Sequence, residues 1–426
     1  MNGAQLCSMT KSAKNNLHFD LLADVLIVGG GMAGCSLACA LAGTGLNVVI
    51  LDCVKQSVQT ADEFDGRASA IAEAPKKMLD QIGMWRHLGK NFAPILDIRV
   101  ADGESRLFLH YDHEDIGEDA FGYMVENRHF RQAVFARLKE LDNATYIAPI
   151  ELKSIACELE GVWAELSDGR CIKAGLLVGA DGRQSQIRQD AGIKLTSWSY
   201  HQTGIVLTVD HEISHHNVAH EHFLPAGPFA ILPLPGEAGQ NNRSSIVWTE
   251  KDELVESIMA LPEKDFAKEF NQRFGDFLGK VKFIGPRWTY PLTLQYAETS
   301  IAERMVLVGD ASHGMHPIAG QGLNMGLRDV AALAEVLTDA KRLGLDIGTT
   351  SVLDDYEQWR RFDNTLMLAM TDGLNRLFSN DIALLKLARN TGLAAVNKAG
   401  PLKKVFMHHA MGSTGNLPRL LKGEAL

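Results

Sequence analysis

The stretch that decides the fold is residues 305–329, MVLVGDASHGMHPIAGQGLNMGLRD. The apolar residues at its start predict a buried strand that ends at Gly309-Asp310. A loop rich in glycine and proline follows, and we expect a helix to begin near Gly322. This order places the Asp310 carboxylate beside a row of free backbone N–H groups at a helix N-terminus, which stabilises a negatively charged ligand atom. An ordinary strand-to-helix turn could use the same residues.

The chemistry of this stretch suits a flavin. The Asp310 carboxylate can accept a hydrogen bond from a ribityl hydroxyl, and the N–H row can hold the N1/O2 edge of the ring. That edge carries negative charge when the flavin is reduced. Two further strand–turn–helix motifs, described next, weigh against the ordinary turn.

A glycine-rich turn near the N-terminus is the second motif. Gly29, Gly31 and Gly34 form the pattern GxGxxG, and Asp52 follows the next strand. In this pattern the first glycine allows a tight turn, the second lets the backbone approach a pyrophosphate, and the third packs helix on strand. Asp52 would hold a ribose hydroxyl. The predicted elements around the turn are two strands and a small-residue helix: 24–28, 48–51 and 35–42. The motif predicts an adenine dinucleotide without separating FAD from NAD.

The third motif is GADGRQSQIR, residues 179–188, which follows a predicted strand at 174–178. Asp181 is its candidate cofactor-binding residue. The alternative is a plain strand-to-helix turn in which Ser185 caps the helix.

In this order the GxGxxG, DGxxSxxR and GD motifs resemble those of the class A flavoprotein aromatic hydroxylases, which have the p-hydroxybenzoate hydroxylase fold. Residues 309–324 resemble more specifically the ubiquinone-biosynthesis monooxygenase branch, which hydroxylates polyprenylated phenols. The stretches 65–70, 83–85 and 417–424 resemble that branch as well. The resemblance spans residues 22–426. Ser312 and Gly314-Met315 depart from the usual Ala and Thr-Leu of the branch, which affects local packing only.

The resemblance implies a set of site residues around FAD. Arg67 and Arg128 would lie near the FAD phosphates or the flavin edge, although each could equally be a solvated surface arginine. Three residues are catalytic candidates because the family lines the flavin face with this loop: His316, Pro317 and Gln321. The backbone N–H groups that would hold the flavin O2 belong to Gly322, Leu323 and Asn324.

The reaction that the resemblance implies is ring hydroxylation by O2 through a flavin 4a-hydroperoxide, since the cofactor carries this chemistry. The reductant would be NAD(P)H, bound transiently because no second dinucleotide motif is present, or a protein electron donor. We expect the prenyl tail of the substrate to leave along an apolar groove beside the strand 229–234. Two alternatives stay open: a hydroxylase of a small soluble aromatic, and a non-hydroxylating flavoprotein reductase or scaffold.

The fold class that these motifs predict is α/β, with a Rossmann-like FAD-binding domain, an inserted mixed-sheet substrate domain and a helical C-terminal tail. The FAD-binding domain is assigned to residues 22–90, 120–195 and 285–345, and the substrate domain to 91–119 and 196–284. We expect a loose N-terminus over 1–21 and helices over 350–426. Further predicted elements are a hairpin at 96–111, a hairpin at 163–173, a helix at 128–141, a helix at 253–274 in two pieces around Pro262, and a strand at 282–290.

Composition narrows the partners and the compartment. The formal net charge of −10 argues against nucleic acid as a main partner. The six cysteines have neither CxxC nor zinc spacing, which indicates a reducing compartment, and neither a secretory signal nor a bilayer-spanning run is evident. We therefore expect a cytoplasmic protein. The basic, amphipathic stretch 383–426 could bind the inner face of the membrane or other ubiquinone-biosynthesis proteins, or pack as a solvated helix on the FAD domain.

A histidine cluster occupies the segment 211–222: His211, His215, His216, His220 and His222. Two of them, His220 and His222, would share one face of a strand, as in a two-histidine metal site. A flavin needs no metal and no carboxylate triad is apparent, so we predict no metal.

Overall fold

The structure is a computed structural model. It describes residues 19–103, 108–117, 119–236, 239–315, 320–378, 403–404, 407–408 and 411–426. The strands are β1 (Leu21–Val28), β2 (Val48–Leu51), β3 (Ala68–Ala72), β4 (Ala93–Ile95), β5 (Asp97–Asp102), β6 (Phe108–Asp112), β7 (Gly122–Glu126), β8 (Ala144–Ile147), β9 (Leu152–Glu158), β10 (Gly161–Leu166), β11 (Cys171–Gly179), β12 (Leu195–His211), β13 (Val218–Leu224), β14 (Gly227–Leu234), β15 (Arg243–Lys251), β16 (Val281–Ala297), β17 (Ile301–Ala302), β18 (Met305–Leu307) and β19 (His313–Gly314). The α-helices are α1 (Met32–Ala42), α2 (Gln56–Gln59), α3 (Glu73–Gln81), α4 (Asn127–Leu138), α5 (Gln186–Asp190), α6 (Asp252–Met259), α7 (Glu263–Phe274), α8 (Gln321–Arg342), α9 (Thr350–Phe378) and α10 (Arg419–Lys422), and short 3-10 helices span Trp85–Leu88, His113–Asp115 and Gly309–Ala311.

The first sheet is the Rossmann-like core that the glycine motif predicted. Its strands run in the order β17-β18-β11-β1-β2-β8, and β10 and β9 extend it from β11. The pairs β18/β11, β11/β1, β1/β2 and β2/β8 are parallel. Helices α1 and α8 pack together over this sheet, and Val25 and Ile27 are fully buried beneath them. A parallel sheet covered in this way needs nearly continuous apolar strands, as residues 24–28 supply.

The second sheet has eight strands in the order β19-β16-β12-β15-β14-β13-β5-β6. Its outer face packs against α7, whose Phe266, Phe270 and Phe274 are fully buried. The two-piece helix around Pro262 is confirmed, because α6 ends at Met259 and Pro262 precedes α7. Helix α7 covers the outer face of this sheet. The opposite face, here called the inner face, is turned toward the rest of the chain.

The longest strands, β12 and β16, extended further than the sequence predicted. Residues 285–297, which we had assigned to the FAD-binding domain, lie in β16 and pair with β12 in the second sheet. Pro291 lies within this strand opposite Thr203. Proline ordinarily weakens a strand, but pairing along a partner of 17 residues overrides local propensity.

Other boundaries shifted by a few residues. The first strand begins at Leu21 rather than at residue 24, and α4 ends at Leu138 rather than at residue 141. The hairpin around Asp168-Gly169 is confirmed by the antiparallel pairing of β10 and β11.

A third, three-stranded sheet in the order β3-β7-β4 lies between the other two. On one side it meets α8, because the Asn324 side chain accepts a hydrogen bond from the Ala72 amide and donates one to the Ala70 carbonyl, both at 2.9 Å. On the other side β4 and β7 pack against β14 of the second sheet. The small sheet therefore joins the start of α8 to the inner face of the second sheet.

The C-terminal segment closes the first core. Leu420 and Leu421 of α10 are buried in the same apolar cluster as Val25. Arg419 beside them donates to Asp339 at 2.6 Å and pairs with Glu335. This arrangement favours the packing alternative for that end of the basic stretch.

The middle of the basic stretch lies mostly outside the described residues. Lys403 is described, and its ammonium is 2.7 Å from Asp115. The cations at 386, 389 and 398 are not described. Among the helices of the described chain, none is long and apolar enough to cross a membrane.

Candidate active site

Three turns meet at the carboxyl edge of the first sheet. Each follows a strand of that sheet: Gly29 follows β1, Ala180 follows β11, and Gly309 follows β18. The turns touch, because a Cβ atom built on Gly29 would lie 2.3 Å from the Ala180 carbonyl oxygen, and one built on Gly309 would lie 3.6 Å from the Ala33 Cβ atom. The three motifs that are far apart in sequence thus form one crevice, at the edge where α/β sheets bind ligands.

The glycines of the first turn divide into two kinds. Gly29 has φ +108°, and a Cβ atom on Gly34 would lie 2.0 Å from the Gly29 carbonyl oxygen, so both are needed by the fold itself. A Cβ atom on Gly31 would meet no atom of the described residues within 4 Å. Gly31 therefore faces open space in the crevice, as a glycine does where a pyrophosphate must come close to the backbone. This is the observation on which the fit of an adenine dinucleotide rests.

Asp52 lies directly after β2, as predicted, and is held against the glycine turn. Its Oδ2 accepts a hydrogen bond from the Gly30 amide at 2.7 Å, and its Oδ1 accepts one from the Val54 amide at 2.6 Å. A carboxylate has about four acceptor positions, so both oxygens keep capacity for ribose hydroxyls. That contact stays a prediction.

Asp181 has a structural task that the sequence did not reveal. Its Oδ2 accepts hydrogen bonds from the amides of Gln186 (2.8 Å) and Ile187 (3.2 Å), so it caps α5 together with Ser185, whose Oγ accepts from the Arg188 amide at 3.0 Å. The Oδ1 atom of Asp181 is buried without a partner in the described part of the chain. A ligand hydroxyl would satisfy it, and the cofactor contact stays a prediction.

Two arginines of the third motif join it to the GD loop. Arg188 is 4 % exposed and donates to the Ala311 carbonyl at 2.7 Å. Arg183 donates to Thr293 at 3.0 Å, and its Nε lies 3.6 Å from the Asp310 carboxylate. Sequence reasoning missed both roles. The sequence indicated these roles only through the presence of two arginines in a motif whose function we assigned to Asp181.

Asp310 stands at the rim of the crevice. Its side chain is 50 % exposed, and the Arg183 contact is a loose ion pair at the surface. The carboxylate thus contributes little to the fold and is available to a ligand.

Replacing Asp310 with alanine should leave a folded protein that binds FAD about 10- to 100-fold more weakly, the loss of one or two charge-assisted hydrogen bonds. The wild-type protein should purify with one non-covalent FAD per chain. Flavin absorbance of the purified protein measures the FAD content, and fluorescence titration of the protein from which FAD has been removed measures the affinity. Full yellow occupancy in the variant, at unchanged affinity, would remove Asp310 from the site.

The helix N-terminus of the GD motif begins one residue earlier than the sequence implied. Gly320 is left-handed at φ +63° and α8 starts at Gln321. The amides without an intrahelical acceptor are therefore those of Gln321, Gly322 and Leu323, because the amide of Asn324 is the first that can reach back to Gly320. The contact of the Asn324 amide with the flavin O2 stays a prediction, and the Asn324 side chain fixes the helix to β3. A Cβ atom on Gly322 would meet none of the described atoms within 4 Å.

Arg67 and Arg128 both have protein partners. Arg67 is exposed, and its Nε donates to the Tyr290 hydroxyl at 2.6 Å. Arg128 donates to the Glu126 carboxylate at 2.6 Å and to the Asp62 carbonyl. Arg128 is thereby largely neutralised by Glu126. Their contacts to FAD stay predictions.

The catalytic candidates are only partly placed. His316 and Pro317 lie outside the described residues. Gln321 is 8 % exposed at the first position of α8, so the structure puts it beside the free amides of Gly322 and Leu323. Its catalytic role stays a prediction.

The histidine cluster has structural contacts. His211 bonds to the Ile213 carbonyl (2.7 Å) and to Ser244 (3.0 Å), and His215 contacts the Leu234 carbonyl at 3.1 Å. Burial lowers the pKa of His215 to about 4, so its ring is neutral at physiological pH. In the described part of the chain, no group of three or more His, Cys, Asp or Glu side chains could hold a metal ion.

A buried ionic network lies behind the GD loop. Asp329 is fully buried, and one oxygen accepts from the Gly309 amide at 2.9 Å and contacts His313 Nε2 at 2.6 Å. Its other oxygen accepts from Arg360 of α9 at 2.7 Å. Burial raises the pKa of Asp329, but His313 and Arg360 outweigh it and the net pKa is lowered, so the carboxylate is ionised. This network fixes the backbone of the loop that presents Asp310.

Comparison with known proteins, like the geometry, indicates an FAD-binding protein. A family model described as an FAD binding domain matches residues 22–368. The chain is 55 % identical over 410 residues to the ubiquinone hydroxylase UbiL of Rhodospirillum rubrum, covering 96 % of this chain and 94 % of that protein. It is 33 % identical over 397 residues to the 3-demethoxyubiquinol 3-hydroxylase of Escherichia coli, covering 91 % and 98 %.

A solved structure confirms the fold. The p-nitrophenol 4-monooxygenase PnpA of Pseudomonas putida superposes with a TM-score of 0.77, covering 94 % of this chain and 100 % of that one. The identity is 19 %, so this likeness shows the fold alone.

Proposed function

We propose, since this chain belongs to the FAD-binding domain family and within it to the ubiquinone hydroxylases, that it is an FAD-dependent monooxygenase that hydroxylates the aromatic ring of a polyprenylated phenol in ubiquinone biosynthesis. The assignment of FAD as the cofactor rests on the crevice at Gly31, which is open to a ligand and lined by Asp52. The identity of the substrate rests on the relatives.

The residues present fit FAD, and their tasks follow from their chemistry. Asp52 would hold the ribose, the open backbone at Gly31 would admit the pyrophosphate, and Asp310 would bind the ribityl chain. The amides at the start of α8, those of Gly322, Leu323 and Asn324, would stabilise negative charge at the O2 edge of the ring. When bound and reduced, the flavin supplies activated oxygen from O2 to the substrate ring.

The reaction also needs a reductant, which we propose to be NAD(P)H binding transiently or a protein donor. The other two strand–turn–helix motifs, at 179–188 and 309–322, line the same crevice as the glycine motif. A second resident dinucleotide therefore has no separate fingerprint in the sequence.

The lipophilic substrate is supported by an apolar surface between the second and third sheets. Ile95, Phe121 and Met124 on one side pack with Ala219 and Leu234 on the other. The strand 229–234 contributes only alternate residues to this surface, because Phe229 and Ile231 point to the outer core with α7. We propose that the prenyl tail lies along this surface and that the protein meets its substrate at the membrane.

The direct test compares a phenol with and without a prenyl tail. We expect 2-farnesylphenol to be hydroxylated with a kcat/KM at least about 100-fold above that of phenol, since each buried CH₂ contributes about 0.8 kcal/mol and the tail buries many. Product formation, measured by mass spectrometry, should require O2 and a reductant. Equal turnover of both phenols would favour a hydroxylase of small aromatics, and oxygen-independent flavin reoxidation would favour a reductase or scaffold.

A further inference from the structure

Strand β13, the sixth of eight in the second sheet, carries one carboxyl group on the inner face. On β13, the side chains of Ala219, Glu221 and Phe223 point inward, while His220 and His222 point outward. The alternation is fixed by contacts, because Ala219 belongs to the apolar cluster against the third sheet and Phe223 stacks on Phe378 of α9 at 4.1 Å. Glu221 lies between these two residues on the same face.

The surroundings of Glu221 are apolar. It pairs with Val100 of β5 on one side and with Ala230 of β14 on the other. In the described residues it makes neither a hydrogen bond nor an ion pair, and its side chain is partly accessible. Burial raises the pKa of Glu221 to about 7. Burial of a carboxyl group in apolar surroundings is unfavourable in free energy unless a polar group forms a hydrogen bond with it.

The other titratable and charged groups on this face, in the described elements packed on it, are Asp102, Tyr111, Tyr290 with Arg67 bonded to it, and the Asp210–Arg243 ion pair. Asp102 follows on β5 and is buried, and Tyr111 lies on β6 opposite Ile98. Burial raises the pKa of Tyr111 to about 12, so this phenol is neutral near pH 7. The third sheet presents Ile95 and Met124, and α9 presents Phe378.

The face of Glu221 continues to the flavin loop. Ala219, two residues away and so about 7 Å along the strand, packs in the cluster that also contacts Ala70 of β3. Ala70 in turn meets the start of α8: its carbonyl accepts from Asn324 at 2.9 Å, and a Cβ atom on Gly320 would lie 3.1 Å from its own. One apolar surface therefore runs from the free amides of α8 to Glu221.

We propose that Glu221 binds the ring hydroxyl of the substrate, accepting its hydrogen bond and, during the reaction, its proton. This inference deepens the proposed function and rests on it. The phenolic O–H bond breaks, the proton passes to a carboxylate oxygen of Glu221, and the electron pair stays on the ring oxygen. The ring becomes more electron-rich, which is what attack on an activated oxygen requires. A base that titrates near neutral pH suits this task.

The test uses an isosteric variant and two matched ligands. Glu221→Gln keeps the size of the side chain and a hydrogen-bonding group but cannot take a proton. The ligands are 2-farnesylphenol and its methyl ether, which cannot donate. Binding is followed by the absorbance change of the FAD-loaded protein. The control variant is His220→Gln, one residue away on the opposite face of the same strand.

In the wild-type protein and in His220→Gln we expect the phenol to bind about 10- to 100-fold tighter than its ether, as for a hydrogen bond to a charged acceptor. In Glu221→Gln this ratio should fall to about threefold or less. Wild-type kcat/KM should fall as pH drops through about 7, because the protonated carboxyl cannot accept the proton. That limb should be absent in the variant, whose kcat falls about 100-fold while FAD affinity is unchanged.

A stability measurement separates a misfolded variant from a catalytic one. The folded pKa of Glu221 is raised, so its favourable contribution is present below the unfolded pKa of about 4.3 and is lost as pH rises through about 7. The Tm of Glu221→Gln should therefore exceed that of the wild type more at pH 8 than at pH 5.

The outcomes are distinct. If the wild-type protein neither binds nor hydroxylates 2-farnesylphenol, the proposed function and the role of Glu221 fall together. If the wild-type protein does both and Glu221→Gln matches it in ligand preference and pH profile, the role of Glu221 alone is overturned. A variant that loses FAD or folds with a lowered Tm at pH 8 also overturns it, since Glu221 would then be a structural residue.

Discussion

Replacing Gly31 with valine should give a folded protein that no longer retains FAD. Within the part of the chain that the structure describes, a Cβ atom at this position meets no atom within 4 Å, so the side chain has room when no ligand is bound. The same space is where the pyrophosphate must approach the backbone, and branched carbons there exclude it. We expect FAD affinity to fall at least about 1000-fold, which at about 1.4 kcal/mol per factor of ten is a loss of roughly 4 kcal/mol. Circular dichroism and fluorescence titration with FAD measure the two halves of this expectation.

The matched control is Gly34→Val, three residues along the same turn. A Cβ atom there would lie 2.0 Å from the Gly29 carbonyl oxygen, a clash with backbone that cannot be relieved by turning a side chain. This variant should fail to fold, or fold with a much lower Tm. Normal FAD affinity in Gly31→Val would mean that the glycine motif is only a structural turn.

The second large effect is expected at Asp329. The change Asp329→Asn keeps the shape of the side chain but removes the buried negative charge that Arg360 and His313 contact, which leaves Asp363 as the ionic partner of Arg360. Breaking one side of a buried ion pair costs about 3–5 kcal/mol in the free energy of unfolding. Because the Gly309 amide also bonds to this carboxylate, we expect weaker FAD binding in whatever protein remains folded. Urea unfolding monitored by circular dichroism measures the first effect.

The pH dependence of this effect has a definite sign. The pKa of Asp329 is lowered in the folded protein, so its stabilising contribution is present above the unfolded carboxyl pKa of about 3.9 and is lost as pH falls below it. The difference between wild type and variant should be large at pH 7 and shrink below about pH 4. Asp355→Asn, at an exposed position of the same helix α9, is the control and should change stability by less than about 0.5 kcal/mol. An equally small effect at Asp329 would show that the network is dispensable.

The sequence predicted those parts of the site that depend on local chemistry. The turn at Gly29, Gly31 and Gly34 could be recognised because each glycine answers a backbone requirement within a few residues. Asp52 and Asp310 could be placed because they directly follow apolar strands, and the ends of parallel strands meet at one edge of a sheet.

What the sequence could not predict depends on partners far along the chain. The hydrogen bond from Arg188 to the Ala311 carbonyl joins residues 123 positions apart, and no periodicity encodes it. Helix α8 starts at Gln321, one residue before the predicted start near Gly322, because Gly320 adopts a left-handed conformation. Glu221 was overlooked since in sequence it is one polar residue among histidines. Only the strand register separates it from them.

The way in which the first core is closed has a consequence for biosynthesis. Val25 and Leu421 lie in one apolar cluster, and Arg328 within α8 donates to the carbonyl of Gly412 at 2.6 Å. The ribosome synthesises Val25 early and Leu421 late. N-terminal segments fold first only when they can fold without the later ones. The crevice, which includes the turn at Gly309, is therefore incomplete until late in synthesis, and FAD loading is expected to be post-translational.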